Sequence, residues 1–150
     1  MVEKFTDKVR FSEWSNSKVP QVAAGVYAIW EGDKLVYCGM SGREIETKRH
    51  KKKYGLVTRL NSHALGRLSG DQFCVYVANQ LVIPSLKETD FPKFASGELT
   101  LDMLTKQYIH SKLEYQYVVV DSSKEAYGLE NKARIGDVFG QKPMLNPIQS

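Results

Sequence analysis

Cysteine is nearly missing from this chain: Cys38 and Cys74 are its only thiols, isolated and without metal-ligand spacing. Two such residues build no disulfide framework, and both read as reduced strand residues of a cytosolic protein. Long hydrophobic runs are missing too. No apolar stretch approaches the roughly 20 residues of a membrane span, and the opening MVEKFTDKVRFSEW lacks the basic-then-apolar layout of a signal peptide. No internal repeat or low-complexity tract occurs. What remains is ordinary soluble material: 150 residues, 42% hydrophobic and 25% charged, enough for one domain (1–150) with a real core.

The net charge is only +4, yet it is unevenly spread. Residues 1–75 carry 13 Lys/Arg against 8 Asp/Glu, and residues 76–150 carry 8 against 9. The excess concentrates in Lys48-Arg49-His50-Lys51-Lys52-Lys53 and continues in Arg59 and Arg67. A basic cluster of this kind suits a polyanion, and its plain alternative is a solvated loop.

Pattern and punctuation divide the chain. Residues 1–22 read as a leader packing through Phe5, Phe11 and Trp14. GVYAIWE and KLVYCGM are β-prone and flank Glu31-Gly32-Asp33-Lys34, which predicts a hairpin over about 24–39. A basic loop, 40–54, precedes a helix from Gly55 to Leu65, with Val57, Leu60, Ala64 and Leu68 at three- and four-residue steps. Asp71–Ala78 (DQFCVYVA) reads as a strand. Residues 79–99, broken by Pro84 and Pro92, read as an insertion. A helix over Leu101–Lys112 with Thr100 as N-cap and a strand over Glu114–Val120 follow. Ser122 and Glu125 have capping-box spacing and open a helix to about Phe139, ended by Gly140. The sum is a small α+β domain with a mostly antiparallel sheet flanked by helices.

The hairpin opens with Gly25-Val26-Tyr27 and closes with Tyr37-Cys38-Gly39. This pair resembles the signature of the GIY-YIG nuclease superfamily, with Val for Ile in the first half and Cys for Ile in the second. The family pattern continues with an Arg on the next helix, often with a His one turn later. Arg59 and His63 fit it at i and i+4. A Glu on a later helix is matched by Glu130, beside the small Ala126 and Ala133, and an Asn in a C-terminal coil by Asn146. The resemblance spans roughly residues 24–147.

It implies a metal-dependent endonuclease that hydrolyses DNA phosphodiesters with one Mg²⁺ or Mn²⁺ per site. Arg59 would offer a permanently charged fork to phosphate oxygens. Glu130 would give the metal one hard oxygen ligand, and the metal would stabilise the leaving 3′ oxygen. Tyr27 is the expected base or water-positioning group. Only about one phenol in a thousand is ionised at neutral pH. Either nearby cations lower its pKa, or another group, with His63 the candidate, accepts the proton. Tyr37 would orient its partner or a phosphate. Arg43, Lys48, Arg49, Lys51, Lys52, Lys53, Arg67 and Asn146 are the expected nucleic-acid contacts. Arg49, next to His50, rivals Arg59 as the catalytic Arg.

Strand geometry adds a condition. A plain two-residue loop at Gly32-Asp33 sends Tyr27 and Tyr37 to opposite faces, whereas a three-residue loop or a bulge puts them on one. Two other functions stay open: a nucleic-acid-binding module of the same fold with weak or lost cleavage, and a protein-interaction domain with an acidic partner. No separate target-recognition domain follows the core, so target choice would come from loops, a specificity partner or a homodimer.

Overall fold

The computed structural model describes residues 4–20, 23–42 and 55–149. Within them lies a four-stranded antiparallel sheet with five helices: β1 (Val9–Arg10), β2 (Gly25–Glu31), β3 (Lys34–Ser41), α1 (Leu56–Leu65), α2 (Gln72–Val77), α3 (Phe91–Ser96), α4 (Leu101–Lys112), β4 (Glu114–Val119) and α5 (Ser123–Arg134). The strand order is β1-β4-β2-β3, so the hairpin supplies one edge and the leader segment the other. The small α+β class with a mostly antiparallel sheet is therefore the observed one. No helix among the described residues is long and apolar enough to cross a membrane.

Alternation along β2 gives the sheet two covered faces. Tyr27 and Ile29 point into a core with Leu56, Leu60, Phe73, Val77, Ile109 and Tyr115, beneath α1, α2 and α4. Val26, Ala28 and Trp30 point the other way, towards Ala126 and Ala133 of α5. Burying both faces explains why β2 is almost continuously buried instead of showing a solvent side.

The hairpin meets its condition through a bulge. Its loop is the two-residue Gly32-Asp33, with Glu31 opposite Lys34 and Trp30 opposite Leu35. The register then shifts, and Ile29 faces Tyr37 with Val36 as the extra residue. Leu35 and Cys38 join the α5 side, whereas Val36 and Tyr37 both join the α1 side. Tyr27 and Tyr37 consequently share a face, with ring centroids 6.4 Å apart.

Three expectations need correction. Asp71–Ala78 is a helix, not a strand. Asp71 is its N-cap, accepting a hydrogen bond from the Cys74 amide at 3.1 Å. Phe73, Cys74, Val77 and Ala78 are all buried, a one-sided stripe that only a helix gives this sequence. Cys74 is thus a helix residue, and Cys38 alone lies on a strand. A π-helical turn, Ala78–Val82, continues α2 into the 79–99 segment, which is itself mostly helical. The last helix stops at Arg134 rather than near Phe139, because Gly136 takes the left-handed conformation (φ 95°) that closes a helix. Gly66 (φ 72°) likewise ends α1 before Leu68 and Arg67 can join it.

Thr100 and Ser122 cap their helices as expected, accepting from the Met103 and Glu125 amides. The leader does pack through its aromatics: Phe11 and Trp14 lie 5.0 and 5.7 Å from the Tyr115 ring, and Phe5 lies 5.0 Å from Phe139.

Candidate active site

Both motif glycines are demanded by packing. Gly39 sits opposite Tyr27 in the register, and a Cβ there would collide with the hydroxyl and ring of Tyr27. A Cβ on Gly25 would come within 2.7 Å of the Val118 carbonyl oxygen and 2.9 Å of Leu56 Cδ1. The first glycine therefore lets α1 settle on the sheet, and the second makes room for the tyrosine.

Tyr27 is 1% exposed and hydrogen-bonded to His63 Nε2 at 2.7 Å. His63 itself is fully buried, and its Nδ1 lies 2.7 Å from Asp71 Oδ2. An ionised carboxylate only accepts, so Nδ1 is the donor, Nε2 carries the lone pair, and the Tyr27 hydroxyl donates to it. Burial lowers the pKa of His63 below its usual 6.5 against the pull of Asp71, which leaves the ring neutral near pH 7. The carboxyl of Asp71 goes the other way. Burial opposes its charge, but hydrogen bonds from His63, Ser62 and the Cys74 amide hold its pKa at about 2.

Tyr37 stands beside this pair, its ring 5.8 Å from His63 and 4.9 Å from Phe73. Arg59, half-buried one turn before His63, interacts with the Tyr27 hydroxyl. Burial works against its charge, and the phenols and Asp71 outweigh that effect. The phenols do not become acidic, however. Burial lifts Tyr27 well above 10 and Tyr37 to about 12, despite Arg59. Among the described residues, the cation beside it, Arg59, does not make Tyr27 a phenolate.

Glu130 comes from α5, across the sheet. Its side chain is 12% exposed, with Oε1 3.9 Å from Arg134 Nη1, and its charge helps to raise the pKa of Tyr37 and Cys38 after burial. The candidate residues thus lie on both sides of the sheet: Tyr27, Tyr37, Arg59 and His63 on the α1 side, and Glu130 on α5. Asn146 also reaches β3, but through the backbone: its Nδ2 donates to the Cys38 carbonyl at 2.6 Å and its Oδ1 accepts from the Cys38 amide at 3.2 Å. Arg67 is exposed beyond the end of α1. Arg43, Lys48, Arg49, Lys51, Lys52 and Lys53 lie outside the described residues.

Among the described residues no three His, Cys, Asp or Glu side chains gather around a common point. A zinc site, needing three or four protein ligands, does not fit there. One nearly buried carboxylate with hard oxygens does fit Mg²⁺ or Mn²⁺, which keep most of their waters and take phosphate oxygens.

The residue that sequence reasoning missed is Asp71. Its signal was present: an Asp before an apolar run with three- and four-residue spacing marks a helix start as readily as a strand. No family model, no curated protein and no solved structure matches this chain.

Proposed function

We propose that this protein is a divalent-metal-dependent DNA endonuclease of the GIY-YIG type, acting in a reducing intracellular compartment. The observation that carries the reading is the buried Tyr27–His63 hydrogen bond with Arg59 and Tyr37 beside it. Four of the residues implied by the resemblance converge there from β2, β3 and α1. Two free, buried cysteines suit the compartment.

The arrangement answers the weakness of a phenol as a base. His63 Nε2, 2.7 Å from the Tyr27 hydroxyl oxygen, is the group placed to take its proton. In the proposed step the Tyr27 oxygen accepts a proton from the attacking water while its own proton passes to Nε2. The hydroxide then bonds to phosphorus and the 3′ oxygen leaves. No phenolate accumulates, which fits the raised pKa of Tyr27. Arg59 meets the charge that grows on the non-bridging oxygens. Glu130 would hold the metal, which when bound supplies Lewis-acid stabilisation of the leaving oxygen. The basic cluster at 48–53 would grip the phosphate backbone.

The test is cleavage of supercoiled plasmid and of single-stranded DNA with Mg²⁺ or Mn²⁺, comparing wild type, Arg59→Ala and Glu130→Ala. Metal-dependent cutting lost in both variants supports the nuclease and both assignments. Salt-dependent DNA binding by a wild type that cuts neither substrate would replace the enzyme with a binding module of the same fold.

A further inference from the structure

We propose that Asp71 is a positioning residue of this site, holding His63 in the Nδ1-protonated form so that Nε2 can accept the Tyr27 proton. The inference rests on the reading of Tyr27 and His63 given above, and it adds a third member to their relay.

Both carboxylate oxygens of Asp71 are fixed by their surroundings. Oδ1 accepts from the Cys74 amide at 3.1 Å, the capping bond that starts α2. Oδ2 accepts from Ser62 Oγ at 2.6 Å and from His63 Nδ1 at 2.7 Å. The residue is 3% exposed, so water does not compete for these positions. Among the described residues, the titratable groups facing the imidazole are therefore Tyr27 and Tyr37 from the strands, Arg59 from its own helix, and Asp71 at the start of α2. Of these, only Asp71 is an anion at neutral pH. It alone offsets the positive charge created when Nε2 takes a proton next to Arg59.

This geometry fixes what an amide would do at position 71. In Asp71→Asn the Cys74 amide still requires an oxygen at Oδ1, so the NH₂ group falls at the Oδ2 position. There it donates to His63 Nδ1. The ring must then carry its proton on Nε2, and Tyr27 faces a donor instead of an acceptor. The helix start survives, because Asn caps as well as Asp.

The experiment combines ¹⁵N NMR of the histidine ring with single-turnover DNA cleavage, on the full chain, with His63→Gln to assign the signal. Wild type should show Nδ1–H at His63, and Asp71→Asn should show Nε2–H with a cleavage rate lower by about 10²–10⁴-fold. A purely structural role for Asp71 would lower stability without exchanging the ring proton. A wild-type spectrum with Nε2–H overturns the proposal even if the variant fails to fold. It is equally overturned by a variant that keeps Nδ1–H, or that changes tautomer yet cleaves at the wild-type rate. A tautomer change in a protein that never cuts DNA keeps the hold of Asp71 on His63 and removes only the nuclease reading.

Discussion

Gly39→Ala should unsettle the site through a single methyl group, although the backbone accepts alanine. Gly39 is an interior strand residue, and its φ lies outside the left-handed region. On backbone grounds alone the substitution gains about 0.5–1 kcal/mol, since glycine loses more freedom on folding. The new Cβ, however, collides with the hydroxyl and Cζ of Tyr27 and comes within 3.0 Å of its Cε1. Tyr27 has nowhere to go, being packed in the core and tied to His63. Overpacking at such a position costs about 1–3 kcal/mol. Losing the Tyr27–His63 bond costs about another 1 kcal/mol. The net expectation is a loss of about 1–3 kcal/mol, a large share of the 5–15 kcal/mol of a typical domain. With a urea slope of about 2 kcal/mol/M, the unfolding midpoint should fall by about 0.5–1.5 M in a circular-dichroism titration. In a Tyr27→Leu background, where the ring is gone, the same substitution should be neutral or stabilising. The resulting coupling of about 1 kcal/mol or more would identify Tyr27 as the cause. A Gly39→Ala protein as stable as wild type, or an equal cost in both backgrounds, refutes the reasoning.

Two further outcomes follow from the same contacts. Tyr27→Phe leaves His63 Nε2 buried without a partner, so it should lose about 1–3 kcal/mol in urea unfolding and fall by at least about 100-fold in plasmid cleavage; cleavage at the wild-type rate would remove Tyr27 from the chemistry. Stability should fall in acid in two stages. His63, with its pKa lowered by burial, contributes stability present above about 6.5 and lost as pH falls below it. Asp71, held at about 2 against an ordinary 3.8, contributes about 2 kcal/mol present above pH 4 and lost towards pH 2, so Asp71→Asn should flatten the lower stage of a urea–pH series.

How much of this was legible in the sequence depended on whether the signal was local. The hairpin was, because its β-prone runs and Gly32 turn lie within a few residues of each other. So were the caps at Thr100 and Ser122. The common face of Tyr27 and Tyr37 was legible only as a condition, since the choice between a plain ladder and a bulge at Val36 is made by packing on both sides of β3. Asp71 was lost because Phe73, Val75, Tyr76 and Val77 are β-branched or aromatic, and composition pointed to a strand. The cap and the buried stripe under α1 overrode that propensity. Once this segment is a helix, its N-terminus brings the carboxylate to His63. The error in secondary structure and the missed site residue are therefore one error.

Asn146 poses the remaining choice, between contacting nucleic acid and fastening the edge of the sheet. β3 is an edge strand, and the chain near its end covers it. The Met144 and Leu145 amides donate to the Leu35 and Val36 carbonyls at 3.0 and 2.9 Å, and the Asn146 side chain completes the row at Cys38. This row flanks the bulge that turns Tyr37 towards His63, so the edge contacts help to define the site from outside. Arg134 donates from Nε to the Asn146 carbonyl at 2.8 Å, tying the same segment to the helix that bears Glu130. Both polar groups of the Asn146 side chain are thus engaged with backbone, leaving it poorly placed to donate to a phosphate. Asn146→Ala gives up two hydrogen bonds at a partly buried edge, which is worth about 1–3 kcal/mol in urea unfolding. The slope of log K for DNA against log salt should stay at its wild-type value, because no phosphate contact is lost. Unchanged stability with weaker DNA binding would reverse the assignment and return Asn146 to the nucleic-acid interface.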